Sequence, residues 1–437
     1  MDFNLDIALS RAHVSAYEQK ILPLRQQSDI RNAWLQKRLE HILPEIMQRE
    51  QMDMWIVCAR EYNEDPVLMS LLPAPMLSAR RRTILVFSLR EGNFEALNVA
   101  PPGVGLDRYY RGVWEKGRED LGKEDQWQCL QRIVRERDPQ RIGINSSDIY
   151  AFGDGLTQRE HHHLMAALGD YAARCSSAER VCVGWLERRL PEEISAAVGI
   201  NQIAHSIIAE AFSSRVIHPG VSRASDVAWW IRQRIHDLTL SAWFQPTVSI
   251  QRQGEKLGDI GSSPEAIIQP GDLLHCDVGL HYLGLATDTQ QLAYVLKLGE
   301  SSAPQGLQDA LQQGNRLQDI VIAEMHSGRS GNEILAASLE AAERAGIRGR
   351  VYSHPIGYHG HGAGPTIGMY DNQGPTPGRG DYPLYPDTLH SIELFAEYAV
   401  PEWQGQTVKA ALEQIVAFTN KGTHFLGGRQ TALHLLQ

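Results

Sequence analysis

Cysteine is scarce in this chain: five in 437 residues, at Cys58, Cys129, Cys175, Cys182 and Cys276. The number is odd and none forms a C-x-x-C pair. That excludes a disulfide framework and points to a reducing compartment, expected to be the cytoplasm. Long apolar runs are missing too. The first residues, MDFNLDIALSRAHV, carry acids where a secretory signal would be basic. Neither a signal peptide nor a membrane span is expected. No basic run occurs, and the formal charge is −10. Nucleic acid and anionic membrane are thereby excluded as main partners. The remainder, 43% hydrophobic and 22% charged, has the balance of a globular protein. A length of 437 residues predicts two domains, one of them large.

Apolar residues at helical spacing from Ile30 to Met47 predict a helix in an otherwise polar first 50 residues. Strand patterns follow at Asp53–Ala59, Arg82–Leu89, Phe94–Val99 and Arg141–Ile144, with a helical pattern over Asp125–Arg137. Such alternation predicts a small α/β domain, set at residues 1–183. His161-His162-His163 has the look of a metal tract. Adjacent helical residues diverge, however, so a solvated helix face is the expectation.

The texture changes near residue 184, and 184–437 read as a second domain. Pro191 opens a helix to about Arg215, His218-Pro-Gly220 breaks it, and Ser222 or Ser225 caps the next helix. Pro304 opens a similar unit, with Ser330-Gly-Asn-Glu333 as a capping box. A strand-rich segment follows each unit. This organisation suggests pseudo-twofold α/β repeats, with helices covering one face of a curved sheet.

Between the two units lies Gly271–Leu296, GDLLHCDVGLHYLGLATDTQQLAYVL, which reads as a β-hairpin. A turn centred between Tyr282 and Leu283 would set Asp277 opposite Asp288. Opposed carboxylates about 5 Å apart repel, and a cation between them would relieve that. Two surface acids on a solvated hairpin are the alternative. The sequence YSHPIGYHGHGAGPTIGMYD then places His354, His359 and His361 among glycines. Imidazole is a common metal ligand, and glycine permits close backbone approach. Glu393 sits inside the apolar strand pattern LHSIELF, and Glu413 inside the apolar run TVKAALEQIVAFT. Acids in such places are costly unless paired or coordinated.

The ordered set Asp, Asp, His, Glu, Glu resembles that of the pita-bread metalloenzymes, which include methionine aminopeptidase, aminopeptidase P, prolidase and creatinase. G-D-L-L-H-C-D-V-G and T-D-T-Q look like the first two ligand positions, and Gly360-His361-Gly-Ala-Gly364 looks like the G-H-G-x-G segment. The resemblance implies an α/β pita-bread catalytic domain, preceded by a smaller creatinase-type α/β domain. It implies a dinuclear site of two divalent ions, manganese first, with cobalt, zinc or iron as alternatives. It also implies a homodimer. Asp277 and Glu413 would bridge the ions, Asp288 would hold one, and His361 with Glu393 the other. Glu393 would shuttle protons, and His354, or alternatively His359, would donate to the oxyanion.

This chain departs from the pattern in its pocket. No histidine lies in Trp243–Leu274, Gly368-Met369 stands where a His-acid pair is usual, and Leu394 stands in place of a proline. The first functional expectation is therefore an exopeptidase resembling aminopeptidase P or prolidase, acting on short peptides, with Xaa-Pro bonds as one class of target. The second is a creatinase-like C–N hydrolase or lyase on a small polar substrate. The third is a non-enzymatic binding protein.

Overall fold

The computed structural model describes residues 17–101, 103–114, 124–255 and 265–437. The N-terminal stretch read above as lacking a signal falls outside them. The chain divides into two compact units: Pro23–Arg188, and Arg189–Gln437 together with residues 17–22. The helix Glu179–Glu187 is continuous across residues 183 and 184. The division thus falls at that helix's end, where Arg188 turns to extended backbone. Among the described residues no helix is long and apolar enough to cross a membrane.

The first unit is built on a six-stranded sheet. Its strands are β1 (Met54–Arg60), β2 (Arg82–Arg90), β3 (Asn93–Asn98), β4 (Arg111–Gly112), β5 (Ile142–Ile144) and β6 (Cys175–Ser177), in the order β4-β3-β2-β1-β5-β6. Four of these follow the apolar patterns. β4 and β6 are too short and polar to announce themselves. Met54, Ile56 and Cys58 alternate along β1 and pack with Leu130, Ile133 and Val134 of the helix Gln126–Arg137. Asp125 caps that helix by accepting from the Trp127 and Gln128 N–H groups, a contribution of about 1 kcal/mol. The three consecutive histidines lie on the helix Gln158–Leu168. They join no candidate metal group among the described residues.

In the second unit the two helix pairs are Pro191–Ala211 with Ala224–Asp237, and Gln305–Glu324 with Gly331–Arg344. Ser330 and Glu333 form the expected reciprocal cap. Neither expected serine caps Ala224–Asp237. There Asp226 accepts from the Arg223 N–H (2.8 Å), while the Ser222 hydroxyl accepts from His218 N (2.9 Å) and closes the preceding turn. The strands are β7 (Ser241–Ala242), β8 (Thr247–Gln251), β9 (Leu273–Val278), β10 (Leu280–Tyr282), β11 (Leu285–Ala286), β12 (Thr289–Val295), β13 (Arg348–Val351), β14 (His354–Ile356), β15 (Thr388–Val400), β16 (Gln406–Thr419), β17 (Gly422–Phe425) and β18 (His434–Leu436).

Nine of them form one sheet along the path β13-β15-β16-β12-β9-β8, with β14 on β15, β17 on β16 and β18 on β12. Three short strands, β11-β10-β7, form a separate sheet at the hairpin tip. Leu317 and Val321 of the helix Gln305–Glu324 bury against Ile392 and Leu394, and Leu307 and Leu311 against Leu412. Each such side chain contributes roughly 1.5–3 kcal/mol. This helix therefore clamps β15 and β16 from one face and leaves the other to the site.

Candidate metal centre

The hairpin register differs from the expected one. Tyr282 pairs with Leu285 and His281 with Ala286, so the turn is centred on Leu283 and Gly284. Both have positive φ, 54° and 79°, which is the pattern of a type I′ turn. Asp277 consequently faces Gln290, not Asp288. Asp288 lies just before β12, two residues from Gln290. The two aspartates nonetheless converge, since Asp277, Asp288 and Glu413 form a group whose ligand atoms all lie within 4.8 Å of one another.

The cross-strand pairs line up as a row on one face of the sheet. Thr247 faces Asp277, Asp277 faces Gln290, Gln290 faces Glu413, and Glu413 faces Glu393. Glu393 then accepts through its carbonyl from the Tyr352 N–H (3.0 Å). Directly opposed side chains share a face, so three carboxylates of this row crowd together, with Asp288 as the fourth acid. Burial, followed by the charge of Glu413, pushes the Asp277, Asp288 and Glu393 carboxyls well above their usual range. One oxygen of Asp277 and one of Asp288 are buried without a hydrogen-bond partner.

The three histidines of the glycine-rich loop take different places from those expected. His354, read above as an oxyanion donor, lies among the acids. Its Nε2 is 3.2 Å from Glu413, 3.6 Å from Asp288 and 3.8 Å from Glu393. Its Nδ1 is 3.0 Å from the Pro355 carbonyl, to which it donates. In the neutral ring, Nε2 then turns a lone pair towards carboxylate oxygens. His361, read above as the ligand, is more exposed and joins a group only with Asp288 and His354. His359 belongs to none of the candidate groups among the described residues. Burial, with His281 and Arg189 nearby, lowers its pKa to about 4.

Local packing holds the loop and the hairpin together. The Trp243 indole donates to the Thr287 carbonyl (2.8 Å). A Cβ at Gly279 would lie 2.2 Å from this ring, and one at Gly360 would lie 2.1 Å from it. The ring therefore needs glycine on both sides, and His361 rests on it edge-to-face, centroids 5.2 Å apart.

Two residues escaped the sequence reading. Gln290 points its amide nitrogen at Glu393 (2.6 Å), Glu413 (3.1 Å) and Asp277 (3.4 Å). Its amide oxygen faces His275 Nε2 at 2.9 Å, and His275 Nδ1 faces the Ser249 hydroxyl at 3.3 Å. The amide oxygen can only accept, so Nε2 carries the proton and Ser249 donates to Nδ1. The signal was available: Gln290 is two residues from Asp288 and His275 two from Asp277, the spacing of one strand face.

This donor set fits divalent cations. Buried like charges crowd around one imidazole nitrogen, and two carboxylate oxygens are orphaned, an arrangement that cations would relieve. Asp288 and Glu413 each belong to two of the three candidate groups, whereas Asp277 belongs to one. Ser391 donates to Glu413 (2.7 Å) and Ser353 fixes the Glu393 backbone (3.0 Å). Such outer hydrogen bonds orient ligands.

The chain resembles several solved structures over most of its length. An X-Pro aminopeptidase from Thermotoga maritima superposes with a TM-score of 0.63 at 14% identity, covering 90% of this chain and 99% of the other. An Xaa-Pro dipeptidase from Bacillus anthracis gives 0.61 at 16% identity, covering 92% and 100%. The dipeptidase PepE from Mycobacterium ulcerans gives 0.58 at 17% identity, covering 92% and 98%. At such identities the likeness establishes the fold, the expected α/β pita-bread architecture behind a smaller α/β domain. None of the curated proteins matches this chain in sequence. The sequence profile of Metallopeptidase family M24, by contrast, matches residues 193–420. That segment is just over half of the chain and contains all four acids and the three histidines. The chain belongs to this family of metal-dependent hydrolases and is a metallopeptidase.

Proposed function

We propose that the protein is a dinuclear exopeptidase that hydrolyses short peptides, Xaa-Pro bonds among them. The observation that carries this reading is the His354 Nε2 atom set among the carboxylates of Asp288, Glu393 and Glu413. His354, Glu393 and Glu413 would hold one ion, and Asp277, Asp288 and Glu413 the other, with Asp288 near enough to share. This moves His354 from the expected donor role to the ligand role expected of His361, and Glu413, common to both sets, would lie between the ions. Divalent cations there would acidify water and polarise the scissile carbonyl. Glu393 takes the proton given up by the attacking water and delivers it to the leaving amine. Gln290 holds Glu393 in place for that transfer.

An oxygen-rich cage with one imidazole suits manganese better than softer ions, so manganese is the first metal to test. All five cysteines are free thiols, which supports a reducing compartment, the cytoplasm. A homodimer belongs to the same proposal and rests on the family resemblance. A second reading, C–N hydrolysis or lysis of a small polar substrate, is favoured by the size of the cavity beside the acids, about 270 Å³.

The deciding experiment loads the protein with Mn²⁺ and offers Xaa-Pro dipeptides, longer Xaa-Pro peptides and peptides without proline. Cleavage that disappears in Asp288→Ala supports the proposal. If no peptide is cut at any metal loading, the peptidase reading is wrong and the small-substrate reading takes its place.

A further inference from the structure

With His354 among the acids and His359 outside them, the site lacks the donor that the sequence reading assigned to the carbonyl oxygen. The row of cross-strand neighbours continues past Glu393 to Tyr352. Its N–H is fixed to the Glu393 carbonyl at 3.0 Å, and it precedes His354 by two residues, so both side chains face the acids. Tyr352 is 9% exposed and lines the cavity with Asp277, Gln290, Glu393 and Tyr370. Its hydroxyl makes no hydrogen bond among the described residues. Its surroundings there are the charges of Glu393, Glu413 and Asp277. The ring is locked edge-to-face against Tyr370, centroids 5.2 Å apart, and lies 6.2 Å from Phe395. The hydroxyl keeps access at the cavity wall, where a substrate acceptor can reach it.

We infer that Tyr352 is a catalytic residue whose hydroxyl donates a hydrogen bond to the scissile carbonyl oxygen, the role expected of a histidine. The inference rests on the proposed hydrolysis. In that reaction water adds to the carbonyl carbon, the C–N bond breaks, and the leaving amine takes the proton that water gave up through Glu393. Tyr352 transfers no net proton. It stabilises the oxygen as negative charge grows on it, a contribution that acts on the transition state more than on the bound peptide. The acceptor class is a planar amide that becomes a tetrahedral anion.

Tyr352→Phe tests this, because it removes one oxygen and keeps the ring between Tyr370 and Phe395. Manganese content per chain should stay at the wild-type value. With a cleavable peptide, kcat should fall about 100-fold with KM within about twofold, the cost of one such donor. Inorganic phosphate, a tetrahedral anion, should bind the manganese-loaded variant about tenfold more weakly than the wild type by calorimetry. His361→Ala, which removes a competing donor, should leave phosphate affinity within about threefold. Unchanged kcat and phosphate affinity in Tyr352→Phe, or loss of both in His361→Ala alone, would overturn the assignment. Failure of wild-type protein to cut any peptide would count against the peptidase reading, and the phosphate measurement alone would then decide Tyr352. Absence of phosphate binding by manganese-loaded wild type would also overturn it.

Discussion

The Nε2 atom of His354 lies 3.2 Å from a carboxylate oxygen of Glu413, while Nδ1 is committed to the Pro355 carbonyl. A lone pair directed at an anion is stable only with a proton or a cation between them. The same carboxylate oxygen takes a hydrogen bond from Ser391 (2.7 Å), so Glu413 is fixed from the other side. His354→Ala should therefore lose metal affinity by more than the roughly 10- to 100-fold that loss of an outer partner costs. His361→Ala should keep both ions. Equilibrium dialysis against a chelator reads this, and equal losses in the two variants would refute the assignment.

The metal-free protein should be pH-sensitive in a particular direction. Asp277, Asp288 and Glu393 are raised well above their ordinary range by burial and by neighbouring acids. The folded state then binds more protons than the unfolded state above about pH 4, and stability falls as pH rises through that window. Each group can contribute up to about 1.4 kcal/mol per pH unit. Melting temperature after chelation should drop as pH rises above about 5, and Mn²⁺ should flatten that slope. A flat profile without metal would mean that the acids are not held together.

Acid stress tests different groups. Burial lowers His205 to about 4 and His390 to about 3, and neither ring has a hydrogen-bond partner among the described residues. Their folded pKa values lie below the unfolded one. Their neutral forms therefore support the fold above about pH 6.5, and that support is lost as pH falls towards 4. His390→Leu should make urea stability less steep in pH over that range by up to about 1.4 kcal/mol per unit. An unchanged slope would show that His390 is protonated at little cost.

Glu393 and Glu413 were legible because each is an isolated charge in an apolar run, a costly placement, and Asp277 and Asp288 because they are two acids on one hairpin. The register was not. It depends on Leu283 adopting φ of 54° beside Gly284, which a leucine does not advertise. The histidines were legible as a set and not as individuals. The path of a loop this rich in glycine is decided by what it packs against, here Trp243, far away in sequence. Gln290 and Tyr352 were overlooked for another reason. Neither is unusual in a strand; the two-residue spacing from Asp288 could have flagged Gln290, whereas the place of Tyr352 appears only when five cross-strand pairings bring it into one row.

Gln290 is predicted to matter through the acids it holds. Its amide nitrogen reaches Glu393 and Glu413 at 2.6 and 3.1 Å, and its oxygen is anchored by His275 at 2.9 Å. Gln290→Leu keeps the volume and deletes these bonds. Metal affinity should fall about 10- to 100-fold, and His275→Leu should reproduce part of that loss by freeing the amide to rotate. Affinity measured by competition with a chelator checks both. If neither variant changes it, the amide merely fills space.

Gly360 is predicted to be intolerant of a single added carbon. A Cβ there would lie 2.1 Å from the Trp243 ring, which is packed on its other side against Gly279, where an added Cβ would lie 2.2 Å away, and is tied to Thr287 through its indole nitrogen. The ring has nowhere to retreat, so the histidine loop must move instead. Gly360→Ala should cost about 1–3 kcal/mol of stability, typical of overpacking, and should displace His361 from its edge-to-face contact with the indole. Because His354 is held separately by its pairing with Ser391, metal content should survive while peptide turnover falls. Trp243→Ala, which opens the space, should restore turnover in the double variant at least in part. Loss of metal in Gly360→Ala would instead show that the loop and β14 move as one piece.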